Sequence, residues 1–263
     1  MPTCSISVLI PVFNSEKIIS HLIKSIIFYM KKDFKSHEYE IIIINDHSLD
    51  FSWKKIKDLC GKYRMLKGIN LSKNYGQHNA LMAGLNIAKG EKIITMDDDF
   101  QHHPSYIIKF LKKLDEWDAC YTYYKKRKHN IFKKICSSLN NIVASFLIGK
   151  PFHLYMSSFR GFRKKVLNEI IKYKKNQVFI DYFIIKKSRK ICMINIEHKN
   201  RLVGDSNYTI KKLLTLWCTM IICCDIFPLR LNTFFIIICK IIVWLFFKKK
   251  KFNEQFAISE KTF

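Results

Sequence analysis

The chain has 263 residues, of which 49% are hydrophobic, so it can bury a substantial core and is not an intrinsically disordered protein. Its 46 lysines and arginines against 21 acidic residues give a formal charge of +25, which favours anionic partners such as nucleotides, phospholipid headgroups or nucleic acid. The chain is also rich in lysine, isoleucine, asparagine and phenylalanine together, as in a genome with biased base composition, so only local clusters of charge are informative.

Nine cysteines are scattered along the chain, and no two of them form a C-x-x-C spacing. Their odd number and irregular spacing exclude a disulfide framework and a cysteine zinc site, and are typical of a reducing compartment. Because the sequence runs directly into an apolar strand pattern, we expect no signal peptide.

The first half of the chain alternates short apolar runs with amphipathic stretches. Strands are predicted over residues 5–11, 40–45, 65–71, 93–96, 119–124 and 191–197, and helices over residues 16–30, 53–63, 78–89, 105–114, 137–148 and 164–173. Ser15 is the predicted N-cap of the first helix, and Gly90 is predicted to end the third. Strands that alternate with helices predict βαβ units, and therefore an α/β fold with a mostly parallel sheet flanked by helices.

Residues 92–104, KIITMDDDFQHHP, carry the strongest chemical signal. The pattern predicts a buried strand that is followed directly by Asp97, Asp98 and Asp99. These residues would lie at the sheet edge where α/β proteins bind ligands. Alternate residues of an extended segment point the same way, so Asp97 and Asp99 project together, and Gln101 continues that parity. Such oxygens suit Mg²⁺ or Mn²⁺ held jointly with substrate phosphates. The alternative is a solvated acidic turn that only ends the strand.

Other residues are candidates for binding a nucleotide and its phosphates. Asp46 ends the second strand, where a carboxylate can accept hydrogen bonds from a base or a ribose hydroxyl. The chain has no G-x-G-x-x-G and no G-x-x-x-x-G-K-[ST], so phosphate is expected to be held by metal and basic side chains. Arg160 is a candidate clamp for a diphosphate. The basic segment 125–134 is either a solvated loop or a mobile segment near phosphates or a membrane surface.

The last third of the chain changes character. Residues 213–226 and 234–247 are apolar, and the lysines of residues 248–251 follow directly. The second run rises about 21 Å as a helix, short of the roughly 30 Å hydrocarbon core of a bilayer. We therefore expect an interfacial or re-entrant helix anchored on anionic headgroups. A buried core helix is the alternative, chiefly for the first run.

A resemblance to a known family rests on seven ordered blocks: IPVFN, IIIINDHS, LSKNYGQHNALMAGL, MDDDFQHHP, SSFRGF, RLVGDSNY and PLRL. Over residues 5–231 the chain resembles the family 2 glycosyltransferases of GT-A fold. Within them it is most similar to the polyprenyl-phosphate branch of dolichol-phosphate mannosyltransferases and undecaprenyl-phosphate glycosyl- and aminoarabinosyltransferases. The resemblance implies a Rossmann-like GT-A catalytic domain over residues 1–210, membrane-associated apolar helices over 211–251 and a polar tail over 252–263.

The resemblance also implies the site residues. The donor-binding positions are Pro11, Asn14, Asp46, Asn74, Gly76, Asp97, Asp98 and Ser206. The metal positions are Asp97, Asp99 and Gln101, and the catalytic positions are Asp99, Arg160 and Arg201, with both arginines on phosphate groups. The chain departs from the family at four positions. The family usually has glutamate at Ser15, an acidic residue at Asn45 and an aspartate near Leu154, and often has lysine at Asn207.

The implied reaction moves a sugar from a nucleotide-sugar donor to a polyprenyl phosphate such as undecaprenyl phosphate, with inversion, in cell-envelope glycan synthesis at the cytoplasmic face of the membrane. Two alternatives stay open. One is transfer to a sugar hydroxyl, which needs a general base; Asp181 is the candidate, although it also fits an ordinary polar residue at a helix start. The other is an inactive nucleotide-sugar or anion-binding protein. No nucleic-acid motif is present.

Overall fold

The computed structural model describes residues 4–123, 141–145, 148–196, 220 and 254–263. The strands in chain order are β1 (Ile6–Val12), β2 (Tyr39–Asn45), β3 (Leu66–Leu71), β4 (Lys92–Thr95), β5 (Ala119–Tyr123), β6 (Arg160–Arg163), β7 (Ile191–Asn195) and β8 (Ile258–Lys261). The helices are α1 (Ile19–Met30), α2 (Ser52–Lys62), α3 (Gln77–Leu85), α4 (Tyr106–Lys113), α5 (Lys164–Ile170) and α6 (Ile180–Lys187).

One sheet of eight strands runs through this part of the chain in the order β7-β5-β6-β4-β1-β2-β3-β8. Strands β4, β1, β2 and β3 are parallel neighbours, and β7 is parallel to β5. Strand β6 lies antiparallel between β4 and β5, and β8 lies antiparallel on β3. The predicted mostly parallel α/β sheet with flanking helices is therefore confirmed.

Helices cover both faces of the sheet, and the strands divide their side chains between two cores. Ile42 and Ile44 of β2 belong to the core with α3, α5 and α6, whereas Ile41 and Ile43 belong to the core with α1, α2 and α4. Successive side chains of a strand point to opposite faces, so this division follows from the backbone. All seven residues of β2 are consequently buried, as expected for a strand inside a parallel sheet.

Strand β6 was not predicted from the sequence. It is four residues long and contains Gly161, which weakens a strand pattern. A Cβ at this position would lie 2.8 Å from the Cδ1 atom of Ile94 on β4, so a larger residue would require that side chain to shift. Close packing of β6 against β4 thus favours Gly161, and this glycine weakens the strand pattern in the sequence of β6.

The prediction of Ser15 as an N-cap was wrong. Helix α1 follows Ile18, which makes no side-chain capping bond. The carbonyl of Ser15 accepts the N–H groups of Ile18 and Ile19 in a preceding turn, while its hydroxyl donates to the carboxylate of Asp98. The serine therefore joins the ends of β1 and β4.

The prediction that Gly90 ends the third helix was also wrong. Helix α3 already ends at Leu85. A Cβ on Gly90 would come within 2.5 Å of the backbone nitrogen of Ser7, so glycine is required here by the close approach of β1.

Much of the C-terminal third lies outside the described residues, including the apolar runs 213–226 and 234–247 apart from Met220, which is buried. Arg201, Ser206, Asn207 and the basic segment 125–134 also fall outside them. Across the parts of the chain that are described, no helix has the length and apolar character of a membrane span. The division at residues 210 and 251 stays a prediction, and residues 258–261 of the predicted tail form β8.

Candidate active site

The turns that follow β1 and β2 meet at the carboxyl edge of the sheet. The backbone N–H of Asn14 donates to the hydroxyl of Ser48 at 2.9 Å, and the N–H of Leu49 donates to the side-chain oxygen of Asn14 at 2.9 Å. Asn14 has a φ of +55°, a left-handed conformation that asparagine tolerates well. Pro11, on β1 opposite Ile44, is partly exposed near the same edge. Two predicted donor-binding residues are therefore neighbours.

An acidic cluster follows β4 at the same edge. One side-chain ligand atom each from Asp97, Asp99 and His102 lie within 4.8 Å of one another. Asp97 accepts hydrogen bonds from the amide of Gln77 at 2.6 Å and from the hydroxyl of Ser158. Both carboxylates are partly exposed, so they lie together on an accessible side of the strand end, as the parity of the sequence predicted.

His102 is a functional candidate that the sequence reasoning missed. Burial lowers the pKa of His102 to about 4, against the opposing effect of the Asp99 charge. The imidazole is therefore neutral at pH 7, the form that binds metal. The histidine pair of QHHP was a visible signal, but parity favoured Gln101. The backbone N–H of Gln101 donates to Asp99 at 3.0 Å, and a metal role for its side chain stays a prediction.

Asp98 faces away from this cluster. Its carboxylate accepts the hydroxyl of Ser15 and the backbone N–H of Phe13, the latter at 3.3 Å. Burial raises the pKa of Asp98 to about 6; the Ser15 hydrogen bond opposes this rise, and the charges of Asp97 and Asp99 add to it. Asp98 thus joins the ends of β4 and β1, and its donor-binding role stays a prediction.

Asp46, after β2, holds the loop of residues 72–76, which we call the donor loop. Its buried carboxylate accepts the backbone N–H groups of Tyr75 at 2.6 Å and Gly76 at 2.8 Å, and its carbonyl accepts the amide of Asn74 at 3.3 Å. Gly76 has a φ of +86° and a ψ of 158°, a region open essentially to glycine alone. The predicted donor residues Asp46, Asn74 and Gly76 therefore lie together, although a base or ribose contact of Asp46 stays a prediction.

Asn45 stands where the family usually has a second acidic residue. It belongs to a hydrogen-bond network of uncharged side chains. Asn45 is buried, its amide donates to Asn70 at 2.7 Å, and it accepts the hydroxyl of Ser48 at 2.6 Å. Asparagine offers both a donor and an acceptor here, whereas a carboxylate would leave the Asn70 oxygen without this donor. The departure is therefore matched by its surroundings.

Arg160 lies on β6 with only 2% of its surface exposed and forms an ion pair with Asp181 in the first turn of α6. Asp181 also accepts the hydroxyl of Tyr121 at 2.9 Å. Burial alone would lower the pKa of Arg160, but the charge and hydrogen bond of Asp181, together with the charges of Tyr121 and Asp97, raise that pKa. The predicted phosphate clamp and the candidate base are thus paired with each other. Leu154, near which the family has an aspartate, is buried in the core.

The comparisons with known proteins point to one family. The model of the glycosyl transferase family 2 matches residues 7–171. Undecaprenyl-phosphate 4-deoxy-4-formamido-L-arabinose transferase of Proteus mirabilis is 31% identical over 228 residues, 86% of this chain and 69% of that protein. The protein of the same name from Klebsiella pneumoniae is 29% identical over 240 residues, 89% of this chain and 72% of that protein.

Two solved structures share the fold. Glucosyl-3-phosphoglycerate synthase from Mycobacterium tuberculosis, in complex with Mn²⁺, uridine diphosphate and phosphoglyceric acid, has a TM-score of 0.61 at 15% identity and covers 85% of this chain and 80% of that one. TarS of S. aureus has a TM-score of 0.55 at 18% identity and covers 91% of this chain but 43% of that one. With the predicted GT-A fold confirmed and the family model matched across most of the described domain, the chain belongs to glycosyl transferase family 2 and is a glycosyltransferase.

Proposed function

We propose that this glycosyltransferase moves a sugar from a nucleotide-sugar donor to a polyprenyl phosphate, with undecaprenyl phosphate as the first candidate. The observation that carries the proposal is the pairing of Asp181 with Arg160 in a buried site. A sugar hydroxyl needs a general base within reach, and Asp181 is the base that the sequence offers for it. A phosphate acceptor is already an anion and needs no base.

The relatives support the same acceptor class. The proteins from Proteus mirabilis and Klebsiella pneumoniae are undecaprenyl-phosphate transferases by name, and they align with 86% and 89% of this chain. The family model, matched over residues 7–171, includes the acidic cluster and the donor loop. We infer that the acceptor is a lipid phosphate and that the anomeric centre inverts because the acceptor phosphate attacks the face opposite the leaving diphosphate.

The acidic cluster fits a divalent cation. Ligands on opposite sides of an ion with bonds of about 2.1 Å are about 4.2 Å apart, close to the 4.8 Å that encloses the candidate atoms of Asp97, Asp99 and His102. Carboxylate oxygens suit Mg²⁺ and Mn²⁺, and an imidazole is also compatible with transition metals. We propose that these residues, or Gln101 in place of His102, hold Mg²⁺ or Mn²⁺. The bound cation would offset negative charge on the leaving diphosphate.

The remaining predicted roles belong to the same proposal. Pro11, Asn14 and the donor loop would enclose the nucleotide, and the turn contacts of Asn14 keep this rim in place. The charge of Arg160 acts electrostatically on Asp97, so Arg160 contributes positive potential near the diphosphate even while it pairs with Asp181. Arg201 and Ser206 would contact phosphate and close over the donor, and both lie outside the described residues.

A lipid acceptor requires the active site to work next to a membrane. We propose attachment to the cytoplasmic face through the apolar run 234–247 and the lysines of residues 248–251, whose charge would favour anionic headgroups. Flotation with vesicles containing anionic lipid tests this attachment: the full chain should float, and a variant with the four lysines replaced by glutamine should float less. Equal flotation of the two would refute the lysine anchor.

A donor screen tests the function. The purified chain in detergent, with Mg²⁺ or Mn²⁺, would receive UDP-, GDP- and dTDP-sugars with or without undecaprenyl phosphate, and released nucleotide would be measured. We expect release from one donor only when the lipid is present. Release that needs a glycan acceptor instead would favour transfer to a hydroxyl. No release with any donor would favour an inactive binding protein.

A further inference from the structure

The tail after residue 253 returns to the catalytic domain and touches the donor loop at two points. The hydroxyl of Tyr75 donates to the carboxylate of Glu254 at 2.5 Å, and the backbone N–H of Ser72 donates to the carbonyl of Ala257 at 2.9 Å. Lys73 also lies 3.6 Å from Glu254. Ser72 at the beginning of the donor loop and Tyr75 near its end are thus both bonded to the tail.

The tail itself is held firmly on the sheet. Strand β8 pairs with β3, and the hydroxyl of Thr262 accepts the N–H of Gly68 at 2.8 Å. The indole of Trp53 donates to Glu260 at 2.6 Å. At the other end, the amide of Gln255 donates to the carbonyls of Tyr173 at 3.2 Å and Lys175 at 3.0 Å. Glu254 is therefore presented to Tyr75 by a segment that is bonded at Gln255 and paired with the sheet along β8.

The same tyrosine connects the tail to Asp46. Tyr75 is 4% exposed, so its ring is locked in the core while its backbone N–H bonds to Asp46 and its hydroxyl bonds to Glu254. Burial, followed by the hydrogen bond to Glu254, raises the pKa of Tyr75. The phenol is therefore protonated at neutral pH and acts as the donor in this bond.

We propose that Glu254 is a positioning residue for donor binding: through Tyr75 it holds the Tyr75 and Gly76 amides on Asp46, and so sets the affinity for the nucleotide sugar. The inference rests on the proposed function for the identity of the ligand. Glu254 does not touch the acidic cluster among the described contacts, so it acts through the donor loop and not on the reacting atoms. A charge-assisted hydrogen bond is roughly twice as strong as a neutral one, so the Glu254 carboxylate favours the loop conformation in which the Tyr75 hydroxyl reaches it.

The test compares Glu254→Gln and Tyr75→Phe with a matched control, Glu260→Gln. Glu260 lies on the same tail, and its carboxylate bonds to Trp53 and Lys57, not to the donor loop. All three variants are made in the full chain and assayed with the donor and undecaprenyl phosphate that support nucleotide release. We expect the KM for the donor to rise about tenfold in the first two variants, with kcat and the KM for the lipid within about twofold of wild type. The control should match wild type in all three constants.

Amide hydrogen exchange gives a second readout that does not depend on activity. The amides of Tyr75 and Gly76 should exchange about tenfold faster in Glu254→Gln than in wild type or Glu260→Gln. Equal exchange would overturn the inference, and so would a donor KM unchanged from the control. If the wild-type chain releases no nucleotide with the lipid, the proposed function fails, and the exchange rates still decide whether the tail holds the donor loop.

Discussion

Asp46 and Asp97 both follow buried parallel strands at the same edge of the sheet, yet their surroundings differ. Asp46 is buried and accepts two backbone N–H groups, from Tyr75 and Gly76. Asp97 is partly exposed and accepts two side-chain donors, the amide of Gln77 and the hydroxyl of Ser158. Side chains can rotate away when a ligand arrives, whereas backbone donors move only if the loop moves.

The comparison teaches that a carboxylate at the end of a strand is not by itself a ligand site. The two carboxylates differ in the donors around them, because backbone N–H groups hold Asp46 and side-chain donors contact Asp97. Asp46 accepts backbone groups of the donor loop, while the partly exposed carboxylates of Asp97 and Asp99 lie beside His102. Five substitutions test this difference, in order of decreasing expected effect.

Asp99→Asn should have the largest effect. It removes a charged oxygen from the acidic cluster, and the charge stabilisation supplied by a bound metal is worth several kcal/mol, so turnover should fall by about a thousandfold. Nucleotide release with undecaprenyl phosphate measures this loss, and the thermal midpoint should stay near that of wild type. Full turnover in the variant would show that the acidic cluster is only a solvated turn.

In contrast to Asp99→Asn, Asp46→Asn should lower the stability of the fold. The amide keeps one acceptor for the donor loop but loses the charge and the second oxygen, so the free energy of unfolding should drop by about 1.5–3 kcal/mol. Urea denaturation measures the drop, with Asp58→Asn as the control because Asp58 is exposed on α2. Equal stability of the two variants would contradict the structural role of Asp46.

His78→Asn tests, through the pH dependence of stability, whether His78 is buried in its neutral form near the ion pair of Arg160 and Asp181. Burial lowers the pKa of His78 to about 4, with Asp181 raising it and Arg160 lowering it, and its Nδ1 accepts the N–H of Ile180 at 3.4 Å. The unfolded chain binds this proton near pH 6.5, so wild-type stability is complete above that pH and falls as the pH drops towards 4.

Asparagine at position 78 keeps an acceptor but has no titrating group. The free energy of unfolding of wild type should therefore lose about 2 kcal/mol between pH 7 and pH 5 relative to His78→Asn. Urea denaturation at the two pH values gives this difference. Parallel pH profiles for the two proteins would mean that His78 titrates normally.

His102→Ala and Gln101→Ala separate the two candidates for the third metal position. Even the loss of an outer partner of a metal site costs tenfold or more in affinity, so we expect Mn²⁺ binding to weaken by at least about tenfold in His102→Ala. Gln101→Ala should bind Mn²⁺ within about twofold of wild type. Paramagnetic resonance of free Mn²⁺ measures both affinities, and the opposite result would restore the ligand expected from strand parity.

Local patterns in the sequence were sufficient for most of the sheet and for the position of the acidic cluster. A continuous apolar run such as EIIIIN predicts a strand inside a sheet that is covered on both faces. The carboxyl end of such a strand lies at the edge of the sheet where α/β proteins bind ligands. The alternation of side chains along an extended segment was enough to bring Asp97 and Asp99 together. These inferences succeed because each depends on residues next to one another in the chain.

The remaining features depend on residues far apart in the chain. Strand β6 enters between β4 and β5, and β8 adds to β3 from beyond residue 253, although neither is long enough to be recognised alone. Arg160 forms an ion pair with Asp181, and the carboxylate of Asp46 accepts the backbone N–H groups of Tyr75 and Gly76. A side chain's charge and reach are properties of its residue type, but its partner is selected only when the sheet brings distant segments together.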